Sequence, residues 1–136
     1  MAVVAMINPK VTIAGVDMSQ YITAVELSIE ADDLETTNFG TAGWRTRIGG
    51  LKQGEAKISF NDDFAATTVD DRLWSWFGAV QTFNVKATNA ANSATNPEYQ
   101  MSVLVTEMQP LAGKVGELAT QDVTWPISGA VTRAVV

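Results

Sequence analysis

In one short stretch of this chain after another, apolar and polar residues alternate with a period of two. Only an extended strand puts alternate side chains on opposite faces. Between Tyr21 and Glu30, Val25, Leu27 and Ile29 face one way, and Ala24, Glu26, Ser28 and Glu30 face the other. Ala56, Ile58 and Phe60 alternate with Glu55, Lys57 and Ser59, and Phe83 and Val85 alternate with Thr82, Asn84 and Lys86. Tyr99, Met101, Val103 and Val105 alternate with Gln100, Ser102 and Thr106, and Val123 and Trp125 with Asp122 and Thr124. With Val11 to Ile13 added, the pattern predicts a mostly β chain: a β-sandwich or barrel of about six or more strands with turn-rich joints.

One segment breaks the rhythm. In Thr68-Val-Asp-Asp-Arg-Leu-Trp-Ser-Trp-Phe-Gly78, the residues Val69, Leu73, Trp76 and Phe77 fall on one helical face. Thr68 is placed to cap the helix, Asp70 and Asp71 suit the positive end of its dipole, and Gly78 can stop it. The spacing predicts one flanking α-helix over about 69–77. Trp74 lies off its apolar face and is a candidate for a contact between subunits, because exposed Trp is favoured at interfaces. Two long joints remain. Residues 88–98 are small and polar and read as a hairpin excursion. Residues 32–53 read as a long early loop, of the kind that is functional or ordered by a partner.

The chain of 136 residues is expected to form one domain, 1–136, with a core of its own. Nine Lys plus Arg against fifteen Asp plus Glu leave a net charge of −6, which argues against a general nucleic-acid binder, since phosphate affinity comes from cationic side chains. Cys and His are absent, which excludes a disulfide scaffold, a Cys/His zinc site, thiol catalysis and a Ser-His-Asp triad. Only 18% of residues are charged, so part of the surface is expected to be covered by other copies. The apolar start Met-Ala-Val-Val-Ala-Met-Ile has no positive charge ahead of it, against a signal peptide, and no run approaches the about 20 apolar residues that span a bilayer.

Glu30, Asp32, Asp33 and Glu35 crowd into six residues, yet their spacing is not that of an EF-hand. Asn61-Asp62-Asp63 is a second acidic cluster at a strand end, with no aromatic groove to make it a glycosidase pair. Gly40-Thr-Ala-Gly43 and Gly49-Gly50 lack the Gly-Lys-Ser/Thr of a phosphate loop. Arg45 and Arg47 can pair with carboxylates of another copy, because the guanidinium fork suits interfaces. No catalytic, cofactor-binding or metal-binding residue is assigned, and no cofactor is implied.

The order of these features carries a resemblance. A strand ending in Glu-Ala-Asp-Asp-Leu-Glu leads into Thr-Thr-Asn-Phe-Gly and a Gly-Trp-Arg loop. Gly-Leu-Lys-Gln-Gly-Glu, the strand Ala-Lys-Ile-Ser-Phe, and Asn-Asp-Asp-Phe ahead of a Val-Asp-Asp-Arg-Leu-Trp helix follow, then Ser-Ala-Thr-Asn-Pro-Glu-Tyr and Ser-Val-Leu-Val-Thr-Glu. Over roughly residues 10–130 this resembles the small tail tube (major tail) proteins of long-tailed bacteriophages.

The resemblance implies a structural virion protein whose hexameric rings stack into a hollow tube for DNA delivery, assembled in the host bacterial cytoplasm. Its implied partners are further copies of itself and the tape measure, terminator and tail tip proteins, with DNA in non-specific passage and no membrane. Residues 32–53 then become an assembly arm, and the subunit-interface candidates are Phe39, Trp44, Arg45, Arg47, Leu51 and Trp74. The polar strand faces supply the lumen candidates Glu26, Ser28, Glu55, Ser59, Gln100, Ser102 and Thr106, with Lys57 and Lys86 expected to pair with carboxylates or to lie outside. Two other classes stay open on the residues alone: another ring-forming virion protein (neck, tail terminator or capsid decoration), and a soluble carbohydrate-binding module.

Overall fold

The computed structural model describes residues 3–136, so the first two residues of the N-terminal apolar run lie outside the described residues. In chain order the elements are β1 (Lys10–Ile13), β2 (Val16–Asp17), β3 (Ile22–Glu35), β4 (Arg47–Asn61), α1 (Val69–Trp76), β5 (Val80–Lys86), β6 (Glu98–Leu104), β7 (Thr120–Pro126) and β8 (Thr132–Ala134). They form a sandwich of two antiparallel sheets with strand orders β2-β1-β5-β6-β8 and β3-β4-β7. The alternating residues meet between the sheets: Val11, Ile13, Phe83, Met101 and Val103 from one, Ala56, Ile58, Phe60, Val123 and Trp125 from the other. Phe60 and Trp125 are fully buried in a tilted pair, ring centroids 6.3 Å apart, and the Trp125 indole N–H donates to Glu107 O at 2.9 Å. Burying that N–H without a partner would cost about 1–3 kcal/mol.

All six expected strands are present. The two that alternation does not reveal, β2 and β8, have two and three residues. β2 exists because Ala14 and Gly15 turn the chain at φ 53° and 79°, the left-handed pair a two-residue hairpin needs, and place Ile13 opposite Val16.

The long early loop over 32–53 is corrected by the structure. β3 and β4 continue through most of it as one hairpin, pairing from Ile22↔Phe60 out to Glu35↔Arg47, and only residues 36–46 are loop, with a 3-10 turn at Phe39–Thr41. The alternation signal fails there because neither face of the outer hairpin is buried.

The helix is where the spacing places it, with Val69, Leu73 and Trp76 buried. Two details differ. Phe77 is not on the buried face; it follows the helix as the first corner of a turn (φ −56°, ψ 126°), closed by Ala79 N–H on Trp76 O at 3.0 Å, and is exposed. Thr68 stands at the cap position, but its hydroxyl donates to Asp63 O and Ala65 O instead of accepting from the helix. Gly78 ends the helix at φ 83°, its N–H donating to Val105 O at 2.7 Å. The excursion between β5 and β6 is ordered by Asn96, whose buried amide donates to Thr88, Ala90 and Ala91 carbonyls and accepts from Thr88 N–H.

Candidate assembly site

The β3–β4 hairpin has two halves, and register shifts near Ala24 and Asp33 bend its β3 strand. Near the body, Ala56, Ile58 and Phe60 anchor it in the core. From Ile29 outward on β3 and over residues 47–53 on β4, ahead of Gly54, almost every residue is exposed. At ~3.3 Å per residue, its outer six pairs, Ile29↔Gly54 to Glu35↔Arg47, form an arm projecting roughly 20 Å.

Gly54 marks the root. A Cβ there would stand 2.7 Å from Ser28 O and 2.9 Å from Ile127 Cδ1, so only glycine lets β3, β4 and the chain after β7 close at this point. Nearby, Val25, Leu27 and Ile29 point between the sheets as alternation predicts. They are not fully covered, because the sheets part and leave an open apolar groove with Met6, Val85 and Tyr99 on its other side.

The arm is held by cross-strand polar pairs. Arg47 donates to Asp33 at 2.6 Å, Arg45 lies 3.8 Å from Glu35, Gln53 donates to Glu30, and the Thr36 and Thr46 hydroxyls meet at 2.7 Å. Three carboxylates of the acidic run, Glu30, Asp33 and Glu35, thus meet partners on the returning chain. Both arginines meet carboxylates of their own arm, where the sequence reading has them meet those of another copy. Exposed ion pairs of this kind contribute about 0–1 kcal/mol.

At the tip, Asn38 accepts from Gly40 N–H at 2.8 Å, and Ala42 (φ 53°) and Gly43 (φ 86°) reverse the chain. Phe39 is 109% exposed and Trp44 78%, and along the arm Leu51 is 82% exposed, with Leu34 and Ile48 paired across it. Apolar side chains so free of their own fold make this arm the candidate for a contact surface.

Trp74, 70% exposed, is not with them. β4 runs from the arm to Asn61 and the helix follows, so Trp74 sits at the opposite end of the molecule. There it shares a shallow apolar surface with Phe77, Met108 and Pro110.

The lumen candidates do not share a surface. Registers Glu26↔Lys57, Ser28↔Glu55 and Ala24↔Ser59 place Glu26, Ser28, Glu55 and Ser59 together on the outer face of the three-stranded sheet, where Asp122 and Thr124 join them. Gln100 and Ser102 lie on the outer face of the five-stranded sheet, beside Thr12, Thr82, Asn84 and Thr132. Thr106 follows β6 and is exposed. The first face is acidic and the second is neutral and polar.

Lys57 lies 3.8 Å from Glu55, as expected of a carboxylate partner. Lys86 does neither of the things expected: it is buried, and its Nζ donates to the Asn92 amide oxygen at 3.0 Å, because the excursion folds over it.

Some residues that organise this surface escape sequence reasoning. Gln121, fully buried, donates to Asp62 Oδ1 at 3.1 Å and accepts from Gln109 N–H at 3.1 Å, tying the chain between β6 and β7 to the end of β4. Asp62 Oδ2 has no partner among the described residues, and burial, with Asp70 nearby, raises the pKa of this carboxyl above its ordinary value. Ser19 does the reverse to Asp17, its hydroxyl and N–H donating to the carboxylate and lowering its pKa. Only the apolar gap in the alternation at Gln121 could have flagged the first of these.

No protein-family model and no curated protein matches the chain. Among solved structures, it is similar to a chain of a native gene transfer agent virion, with 18% identity and a TM-score of 0.71 over 93% of this chain and 95% of that one. A chain from the tail of an empty gene transfer agent particle, refined with C6 symmetry, gives 18% identity and a TM-score of 0.69 over 95% and 96%. A chain of the sheath-tube complex of an extracellular contractile injection system, in its extended state, gives 13% and 0.73 over 98% and 93%. At these identities the shared property is the fold, and it is shared from end to end: a mostly β sandwich with one helix, of the kind found in the tails of gene transfer agents and in contractile injection systems.

Proposed function

We propose that this chain is the repeating subunit of a phage-type tail tube: six copies close a ring, rings stack, and the hollow stack conducts DNA. The observation that carries the reading is the arm, a hairpin with exposed Phe39, Trp44 and Leu51 that its own domain leaves uncovered. The likeness of fold to a chain from a C6-symmetric tail supports it. So does the placement of the other exposed aromatic patch, around Trp74, at the far end of the molecule. Complementary surfaces at opposite ends make head-to-tail contacts, which continue along a stack, whereas a single self-complementary patch stops at a dimer.

In this reading the outer face of the three-stranded sheet faces the channel. Its Glu26, Glu55 and Asp122 outnumber Lys57, and DNA slides past a wall of its own sign without being gripped. The role is structural and has no catalytic step. The tube meets tape measure, terminator and tip proteins at its ends, is built in the host cytoplasm, and has its place in the virion tail.

Electron microscopy of the purified protein at high concentration tests this. Hollow tubes are expected; isolated rings would favour a neck, terminator or decoration protein, and monodisperse monomers a binding module. Replacing residues 37–45 by a short turn should leave a folded monomer that forms no tubes. Unfolding of that variant would make the tip part of the core and sink the assembly-arm reading.

A further inference from the structure

The two edges of the three-stranded sheet are treated differently. β3 forms one edge, and beyond its first residue, Ile22, whose N–H donates to Ser19 O, no backbone hydrogen bond among the described residues reaches it from the side away from β4. β7 forms the other, and each N–H on its free side is taken. Thr120 N–H donates to Ala112 O at 3.2 Å, Asp122 N–H to the Gln109 side chain at 3.1 Å, and Thr124 N–H to the Glu107 carboxylate. The next position on that side is Pro126, which has no N–H.

Free edges invite strand addition, and native proteins block the ones that would pair at the wrong time. Here the block at Asp122 and Thr124 consists of two side chains, and only at Thr120 is it a main-chain carbonyl. The main chain that carries the two side chains is fixed independently, by the Trp125 indole on Glu107 O and by Gln121 on Gln109 N–H. Glu107 and Gln109 can therefore rotate off the edge while the core bonds beneath them persist.

We propose that Glu107 and Gln109 are a removable guard on β7, and that the partner which replaces them is the β3 edge of a second copy. β3 is the long unguarded edge, fourteen residues, and it lies across the same sheet from β7. An edge-to-opposite-edge contact is heterologous and continues the sheet from copy to copy, as a closed ring requires. Charge strengthens the guard. β3 carries Glu26, Glu30, Asp32, Asp33 and Glu35 and no cation, so an approaching β3 is repelled by Glu107 until that carboxylate turns away. The guard thus holds free subunits apart and makes edge pairing slow to start. The proposal rests on the tail-tube reading for its partner, but the blocked edge is a property of the single chain.

Two variants act in opposite directions. E107A/Q109A removes the guard and should self-assemble several-fold faster by light scattering, and from a lower concentration, than the wild type. T124P removes a β7 donor on the free edge, where proline is tolerated, and should lose assembly while keeping a native circular dichroism spectrum. A folded E107A/Q109A protein that assembles no faster than the wild type would overturn the proposal, as would T124P tubes that form normally. If the wild type forms no rings at all, it is the tube reading that fails. The guard is then decided by sedimentation velocity: E107A/Q109A should associate at a concentration where the wild type is monomeric, and a monomeric variant there overturns it.

Discussion

One hairpin, β3–β4, is two different structures along its length. Its inner half holds Phe60, Ile58 and Ala56 in the core and Val25 and Leu27 against it, so burial specifies which face turns inward. Its outer half has the same ladder but no core. A two-stranded ribbon is marginal by itself, and this one persists as a continuation of a sheet already paid for by burial, with Arg47–Asp33, Gln53–Glu30 and Thr36–Thr46 fixing its register. The lesson is that the same backbone pairing serves stability where a face is covered and leaves both faces exposed where none is.

The sharpest way to break the comparison is to truncate equivalent apolar residues on either side of the root. Phe60→Ala, in the inner half, should lose about 3–5 kcal/mol in chemical unfolding, as buried Phe truncations do. A loss under about 1 kcal/mol would mean that the inner half is not the anchor. The helix offers the same contrast within two adjacent residues: Leu73→Ala should cost about 2–5 kcal/mol, and exposed Trp74→Ala stay within about 0.5 while weakening contacts between copies. Equal losses would erase that distinction.

At the root itself, Gly54→Ala forces a methyl against Ser28 O and Ile127. Thermal unfolding should register a cost of about 1–3 kcal/mol. No change would mean that the strands can separate there and that the arm is hinged.

Asp62 tests the opposite end of β4 by pH. Its folded pKa is raised, so folding favours the protonated carboxyl. Its contribution is most favourable below the unfolded pKa and is lost as pH rises through the folded value. Asp62→Asn should therefore raise Tm at neutral pH, with the gain over the wild type shrinking as the pH falls through the carboxylate range. A gain independent of pH would assign the effect to hydrogen bonding alone.

The smallest effects on stability belong to the arm. Arg47→Ala should cost no more than about 1 kcal/mol, and Phe39→Ala and Trp44→Ala about 0.5 or less, since neither ring touches the core. Their effect should appear in assembly, where loss of either ring suppresses tubes. Full tube formation by both would remove the arm from the interface.

What could be read from the residues follows the same division. Wherever one face of an element is covered, the side-chain period reports it: six strands and the buried face of the helix at Val69, Leu73 and Trp76 were legible. Where both faces meet water, the period carries nothing, and residues 32–35 and 47–53 read as loop although they are strand. Phe39, Trp44 and Leu51 stood out as apolar residues in a polar setting, and the structure leaves all three exposed. The arginines were legible as ion-pair formers, but not their partners.

By itself, the sequence determined the class of fold, the absence of thiol and imidazole chemistry, and the acidic balance, because these depend on which side chains exist and in what local order. Only the tertiary structure decided that Arg45 and Arg47 meet their own arm, that Glu26 and Gln100 stand on opposite faces, and that Glu107 and Gln109 close the edge of β7. Each of those depends on which strands become neighbours. That is settled by burial summed over the whole core and by register across chain separations that no local pattern encodes.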